Sequence, residues 1–263
     1  MIRKALEVLP AGNQWCAELG AWDGRYLSNT HRLMDEEGWS GVFIEADADR
    51  FPELQATYRG NERAICLNAF AHFEGPETLD ALLSRTPIPT DLDLLSIDVD
   101  GTDWHLWRTL ESYRPKLIVI EFNATIPNDI DYVQSADPAV HHGNSLAALV
   151  RLGRNKGYEL VAVSDFNAFF VTNELFPLFE LEDNSVDAIH TNRSYQTRVF
   201  QLFDGTLGWD GCTRLIWPNV DLDPQRLQLF PRRLRYLIGT EPSLRARRWR
   251  ERYLRLLRRL LSP

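Results

Sequence analysis

Two glycines four residues apart, Gly20 and Gly24 in Glu18-Leu19-Gly20-Ala21-Trp22-Asp23-Gly24, follow a short apolar run and precede a helix-like stretch. At a strand-to-helix turn the chain bends sharply and passes close to a ligand, which a residue without Cβ allows. The free N–H groups that open the next helix favour a carboxylate or another anionic group. Alone, the spacing is also that of an ordinary tight turn. Glu45 lies about one βαβ length beyond Glu18 and ends the next apolar run, ahead of Ala46. A carboxylate there accepts hydrogen bonds from both hydroxyls of a nucleoside's ribose. Asn68 and Ala69, closing a third run, are placed to border an adenine ring.

A second group is acidic: Asp98, Asp100 and Asp103 follow a fourth apolar run, and Glu121 and Asn123 a fifth. For Asp98 and Glu121 two readings stand side by side, a hard-oxygen site facing a ligand crevice and a cluster that caps turns. Asp103 reads as a helix cap. His141 and His142 come late in a stretch without period, as a general base carried on a loop or as an exposed pair. His31 and His105 fall within helix-like stretches and read as structural. An indole face can cover the C–H face of a sugar, and Trp104 and Trp107 beside the acidic group are the candidates for that contact.

The elements that must hold these residues alternate. Strand-like runs occupy 15–19, 41–45, 64–68, 92–99, 117–121, 159–163 and 169–172. Helical patterns span 28 or 29 to 37, 77–83, 103–112 and 144 or 145 to 155, with Gly38 and Gly157 as stops. This is the signature of an α/β domain with a largely parallel sheet. Residues 124–143 break the pattern, as a functional lid or a disordered loop does. Three segments follow: an α/β domain at 1–172, an aromatic and acidic extension of open structure at 173–231, and a basic amphipathic helix within 232–263.

Charge separates these segments. Residues 232–263 contain eleven arginines against Glu241 and Glu251, a net of +9, while the other 231 residues carry 18 basic and 35 acidic side chains, a net of −17. An acidic body disfavours a nucleic-acid substrate. The tail has three readings: packing on the acidic body or between subunits of a homo-oligomer, which ranks first, contact with an anionic membrane surface, and a partner-binding helix. Three scattered cysteines, no apolar run of bilayer length and no apolar core near the start are the expectations for a cytoplasmic protein.

Three motifs in order, Glu18-Leu19-Gly20-Ala21-Trp22-Asp23-Gly24, Gly38-Trp39-Ser40-Gly41-Val42-Phe43-Ile44-Glu45-Ala46-Asp47 and Asp93-Leu94-Leu95-Ser96-Ile97-Asp98-Val99-Asp100-Gly101, resemble the FkbM-type methyltransferases over residues 13–172. The resemblance implies a Rossmann-like class I fold with a seven-stranded, mostly parallel sheet and S-adenosylmethionine as cofactor. It implies O-methylation of a sugar, glycolipid or small hydroxylated metabolite. Glu18, Gly20, Ala21, Trp22, Asp23 and Gly24 would hold the amino-acid half of the cofactor and Glu45 its ribose, with Asp98 near the methyl group. Trp22 departs from the smaller polar residue of many relatives. Related sugar O-methyltransferases hold Mg²⁺ between carboxylates at the fourth and fifth strand ends, here Asp98 with Glu121 and Asn123, where this chain lacks adjacent aspartates. Two competing readings are a non-catalytic scaffold that keeps the fold and a nicotinamide-dependent oxidoreductase, which an acidic crevice suits less well than it suits a sulfonium cation.

Overall fold

The computed structural model describes residues 1–215, 220, 221, 223, 226, 228, 231 and 244–261. The chain divides into two compact units, Met1–Asn192 and Arg193–Pro263.

In the first unit, β1 (Trp15–Leu19), β2 (Ser40–Glu45), β3 (Ala64–Asn68), β4 (Leu94–Ile97), β5 (Leu117–Glu121), β6 (Tyr158–Val163) and β7 (Asn167–Thr172) form one sheet in the order β3-β2-β1-β4-β5-β7-β6. Neighbours from β3 to β5 are parallel, and β7 runs antiparallel to both β5 and β6. This is the Rossmann-like class I methyltransferase architecture, with the seven strands expected. Its central strands are apolar on both faces because helices cover both: Leu117, Ile118, Val119 and Ile120 of β5 are fully buried. The order reverses between β1 and β4, so a crevice opens at the carboxyl ends of those two strands, where open α/β sheets bind ligands.

The helices of this unit are α1 (Ile2–Val8), α2 (His31–Glu36), α3 (Phe51–Thr57), α4 (Leu79–Leu83), α5 (Asp103–Thr109), α6 (Leu146–Asn155) and α7 (Val186–Ile189). The sequence signals hold best at α6, where the Ser145 side chain accepts from the Ala148 N–H and Gly157 stands at φ 78° beyond the end. Within residues 1–172 two helices have no counterpart in the sequence reading. The first, α1, buries Ala5 and is tied by Arg3 to Glu36, the last residue of α2, and to Glu37 just after it. The second, α3, has Pro52 in its first turn and buries Leu54. The Asp49-Arg50-Phe51-Pro52 stretch was its available signal, since proline is favoured at a helix start.

The aromatic expectation for α5 is corrected in part. Trp107 is fully buried, packing on Tyr158 and Phe170 in the core, and cannot meet a ligand. Even the backbone of α6 comes close here: a Cβ at Gly153 would stand 3.0 Å from the Trp107 ring. Trp104 is half-buried and donates its Nε1–H to the Ala148 carbonyl.

The first unit continues past 172 through a short 3-10 turn, Phe176–Phe179, and α7. In the second unit β8 (Thr197–Gln201) and β9 (Leu207–Gly211) form an antiparallel hairpin, and β10 (Arg214–Leu215) pairs with β11 (Val220–Asp221). Of the basic segment, residues 232–243 lie outside the described residues, as does Trp217, and α8 (Leu244–Leu261) is a single helix. No helix among the described residues is long and apolar enough to cross a membrane. Trp107→Ala should cost about 3–5 kcal/mol, because a fully buried large aromatic leaves a cavity its neighbours fill only partly. Urea unfolding measures it, and a loss below about 1 kcal/mol would contradict the core placement.

Candidate active site

Each strand end at the crevice is joined to the next by backbone groups. Gly20 (φ 78°) and Ala21 both donate N–H bonds to the Ile44 carbonyl, at 3.0 and 3.1 Å, which locks the first turn onto the end of β2. A Cβ on Gly20 would lie 1.8 Å from the Asp98 carbonyl oxygen, so glycine is obligatory there. The Asp98 N–H in turn donates to the Leu19 carbonyl. Gly24 (φ 75°) is crowded by Tyr58 and Leu54. Thr57 Oγ1 donates to the Asp23 carbonyl at 2.7 Å, and the Tyr58 hydroxyl donates to that of Gly24. Asp23 folds its carboxylate onto the Arg25 and Tyr26 N–H groups and so shapes the turn. The end of α3 and the residue after it thus buttress the glycine turn.

Glu18 is buried and faces the protein. Its carboxylate accepts from Ser28 Oγ (2.6 Å), Thr30 Oγ1 (2.7 Å) and the Asn29 N–H (2.8 Å). Burial pushes its pKa up while these three donors pull it back. The expected cofactor contact therefore has at most one lone-pair site left to it. Glu45 is more open: Oε2 accepts the Trp22 N–H at 2.7 Å, Oε1 accepts that of Asp47 at 2.8 Å, and half of its roughly four acceptor sites remain. The main chain of Trp22 is at φ 49°, and Arg50 lies over its exposed indole, 4.9 Å from the ring centroid. Ala46 follows Glu45 at the same rim. Asn68 Nδ2 and the Ala69 N–H both donate to the Glu45 carbonyl, drawing the end of β3 to that of β2.

Beyond β4 the acidic residues divide by task. Asp103 is buried and accepts the Val99 and Gly101 N–H groups at 2.9 and 3.0 Å, holding the turn as expected of a cap. Asp98 and Asp100 stand with Glu121 so that one carboxylate oxygen from each lies within 4.8 Å of the others. Asn123, the other expected ligand on the β5 side, is otherwise engaged: Nδ2 donates to the His142 carbonyl, and Oδ1 accepts from the Thr125 N–H and hydroxyl. Asp100 takes its place in the carboxylate group. Burial, with Asp103, Asp100 and Glu18 nearby, pushes Asp98 up to about 7; Asp103 moves in the same direction, chiefly through burial.

The segment 124–145 is folded back over this turn. Buried Gln134 receives the His142 and Gly143 N–H bonds on Oε1 and donates Nε2–H to the Val140 carbonyl. Asn144 Nδ2 donates to the Gly101 carbonyl at 2.7 Å. A Cβ on Gly101 would meet Gln134 Oε1 at 2.7 Å. His105, on α5, is bonded through Nε2 to the Gln134 carbonyl, a structural role as expected. The same fold brings His141 Nδ1 to 3.1 Å from the Asp100 carbonyl. A carbonyl only accepts, so Nδ1 carries the proton and Nε2 is the basic nitrogen. His142 Nδ1 is instead 3.3 Å from the Tyr132 hydroxyl. Sequence reasoning missed Gln134 and Asn144, buried amides whose partners are all set by the tertiary fold.

No protein-family model and no curated protein matches the sequence. Among solved structures, the chain is similar to a SAM-dependent methyltransferase from Aquifex aeolicus (12% identity, 64% of this chain and 86% of that one, TM-score 0.40). It is also similar to the N-terminal domain of EvdMO1 with SAH bound (16%, 64% and 76%, 0.43) and to an O-methyltransferase family protein from Burkholderia thailandensis (12%, 65% and 55%, 0.42).

The acidic cluster gives stability a definite pH sign. A folded-state carboxyl raised from 3.8 to about 7 stabilises the fold below about pH 4, and that contribution is lost as pH rises through 7. With chelator present, Asp98→Asn should melt higher than wild type at pH above 7 and show no such gain near pH 4. Thermal denaturation across that range checks the difference, and a gain only at the acid end would refute the burial argument.

Proposed function

We propose that the first unit is an S-adenosylmethionine-dependent methyltransferase acting on a hydroxyl, of the FkbM type in its motifs, with a sugar, glycolipid or small hydroxylated metabolite as acceptor in the cytoplasm. The observation that carries this reading is the convergence, at the reversal point of the sheet, of the turn at 20–24, Glu45 and Asp98. In that reading Glu45 accepts the ribose hydroxyls through its remaining sites, and Ala46, Asn68 and Ala69 border the adenine. The turn at 20–24 receives the amino-acid half, and Glu18 sets the loop that shapes it. The acidic group at β4 suits a sulfonium cation and would repel a dinucleotide pyrophosphate, which disfavours the oxidoreductase alternative.

Transfer is an in-line displacement: the acceptor oxygen bonds to the methyl carbon as the carbon–sulfur bond breaks, leaving a neutral thioether. Proximity and alignment supply most of the acceleration. The hydroxyl proton passes to His141 Nε2, whose tautomer is set by the Asp100 carbonyl, and Asp98 and His142 flank the acceptor. Titration calorimetry tests the cofactor assignment. S-adenosylhomocysteine should bind, and Glu45→Ala should weaken it by roughly a hundredfold or more, the worth of two charged hydrogen bonds at about 1.5 kcal/mol or more each. Absence of binding at millimolar ligand would leave the scaffold reading in possession of the fold.

A specific observation favours a divalent cation beside the acceptor. Three carboxylates whose oxygens come within 4.8 Å of one another are a donor set of the hard-oxygen kind Mg²⁺ takes. Asp98, Asp100 and Glu121 would hold it, and when bound it would orient two acceptor hydroxyls and lower the pKa of the attacking one. On this reading Glu121→Gln lowers turnover far more than it lowers S-adenosylhomocysteine affinity, and EDTA abolishes turnover while leaving that affinity unchanged. Full turnover in EDTA would remove the metal and leave His141 as the base.

A further inference from the structure

We propose that the Arg193–Pro263 unit is a docking surface for an anionic lipid bilayer, carried by α8 and by the tip of the β8–β9 hairpin. The proposal rests on nothing in the active site. Helix α8 has 18 residues, among them eight arginines and one acid, Glu251. It is about 27 Å long, yet its charge prevents it from spanning a bilayer. Its apolar residues recur on one stripe, and two of them, seven positions and so two turns apart, stand in the open: Trp249 is 59% and Leu256 54% exposed. Arg248, Arg252 and Arg255 are exposed beside them.

The hairpin makes the same demand independently. Phe203 at its tip is 95% exposed, and Leu202, Val199 and Phe200 are exposed as well. Val199 and Phe200 are adjacent in β8, so their side chains leave opposite faces of the ribbon, and no single protein face could cover both. A two-stranded ribbon with apolar side chains on both faces and a bare aromatic at its turn is poorly matched to water. It is well matched to the boundary between headgroups and acyl chains, where aromatic and aliphatic side chains insert and arginines above them meet anionic headgroups. Nucleic acid would satisfy the arginines alone and leave Trp249, Leu256 and Phe203 without a use. The net charge of −17 outside residues 232–263 is repelled by such a surface, so attraction must come from the basic segment and from apolar insertion.

Flotation of the full chain with vesicles of phosphatidylcholine, with and without phosphatidylserine, tests this. The expected result is recovery with the phosphatidylserine vesicles, little with phosphatidylcholine alone, and weakening as salt rises. Leu256→Asp and Phe203→Asp should each lower partitioning by roughly tenfold or more, and each arginine of Arg248 and Arg252 replaced by alanine by roughly fivefold. These positions are exposed, so an unchanged melting temperature verifies the fold of each variant. Failure to float with either vesicle overturns the proposal, as does flotation that both Asp substitutions leave intact. Tighter binding to duplex DNA that survives Leu256→Asp would assign the arginines to a polyanion instead. A dimer that Leu256→Asp dissociates, without flotation, would assign α8 to a second copy of the chain.

Discussion

The site depends on how closely the end of β1 approaches the end of β4. At Gly20 there is no room for one carbon atom beside the Asp98 carbonyl, and the conformation is left-handed as well. Because Gly20 and Ala21 donate to Ile44, and Trp22 to the Glu45 carboxylate, the same turn fixes the end of β2. One steric condition at one residue therefore sets the relative positions of the glycine turn, Glu45 and Asp98. Any other residue at 20 would separate strands whose registers are held by five parallel ladder pairs on one side and four on the other.

Electrostatics then works against the fold and in favour of the site. Gathering Asp98, Asp100 and Glu121, with Asp103 buried behind them, raises the energy of the ionised state, which is why Asp98 is pushed toward neutrality. What compensates is local and partial: Asp103 is satisfied by two backbone N–H groups, and no arginine or lysine is paired with Asp98, Asp100 or Asp103 among the described ion pairs. A cation arriving at this place, whether a sulfonium or a metal, relieves the repulsion it finds. By contrast Asp93, at the opposite end of β4, has its own partner in Lys116 at 2.7 Å and serves only the strands.

How far the sequence could be read follows from the range of the forces involved. The sheet was legible because a strand buried on both faces is an unbroken apolar run, as at β5, and because glycine stops and serine caps act within a few residues, as at α6. Helix α3 was not, since its seven residues bury Leu54 alone and its value lies in Thr57 and Tyr58 reaching 34 positions back to the glycine turn. The acidic site was legible in part. Strand ends identified Asp98 and Glu121, but the choice between Asp100 and Asn123 depended on whether the Asn123 amide was already engaged, which the fold of 124–145 decides. Trp107 misled because its nearness in sequence to the acids says nothing about which side of a helix faces the sheet.

On the proposed function, that loop is also where acceptor specificity would arise. Its backbone is tied down at Gly101, Asn123 and Gln134, and little of its length is regular, so its shape is set by buried amides and not by a repeating ladder. Such a clamp holds His141 against the Asp100 carbonyl while leaving the exposed side chain of Ile130 to vary without disturbing it. On the proposed function, with a lipid-linked or membrane-derived hydroxyl as acceptor, a basic, apolar second unit would give the acidic first unit access to an interface from which its own charge would exclude it. Eleven arginines are segregated into the last 32 residues, and spread over the first unit the same positive charge would weaken the acidic field that favours a cation at β4.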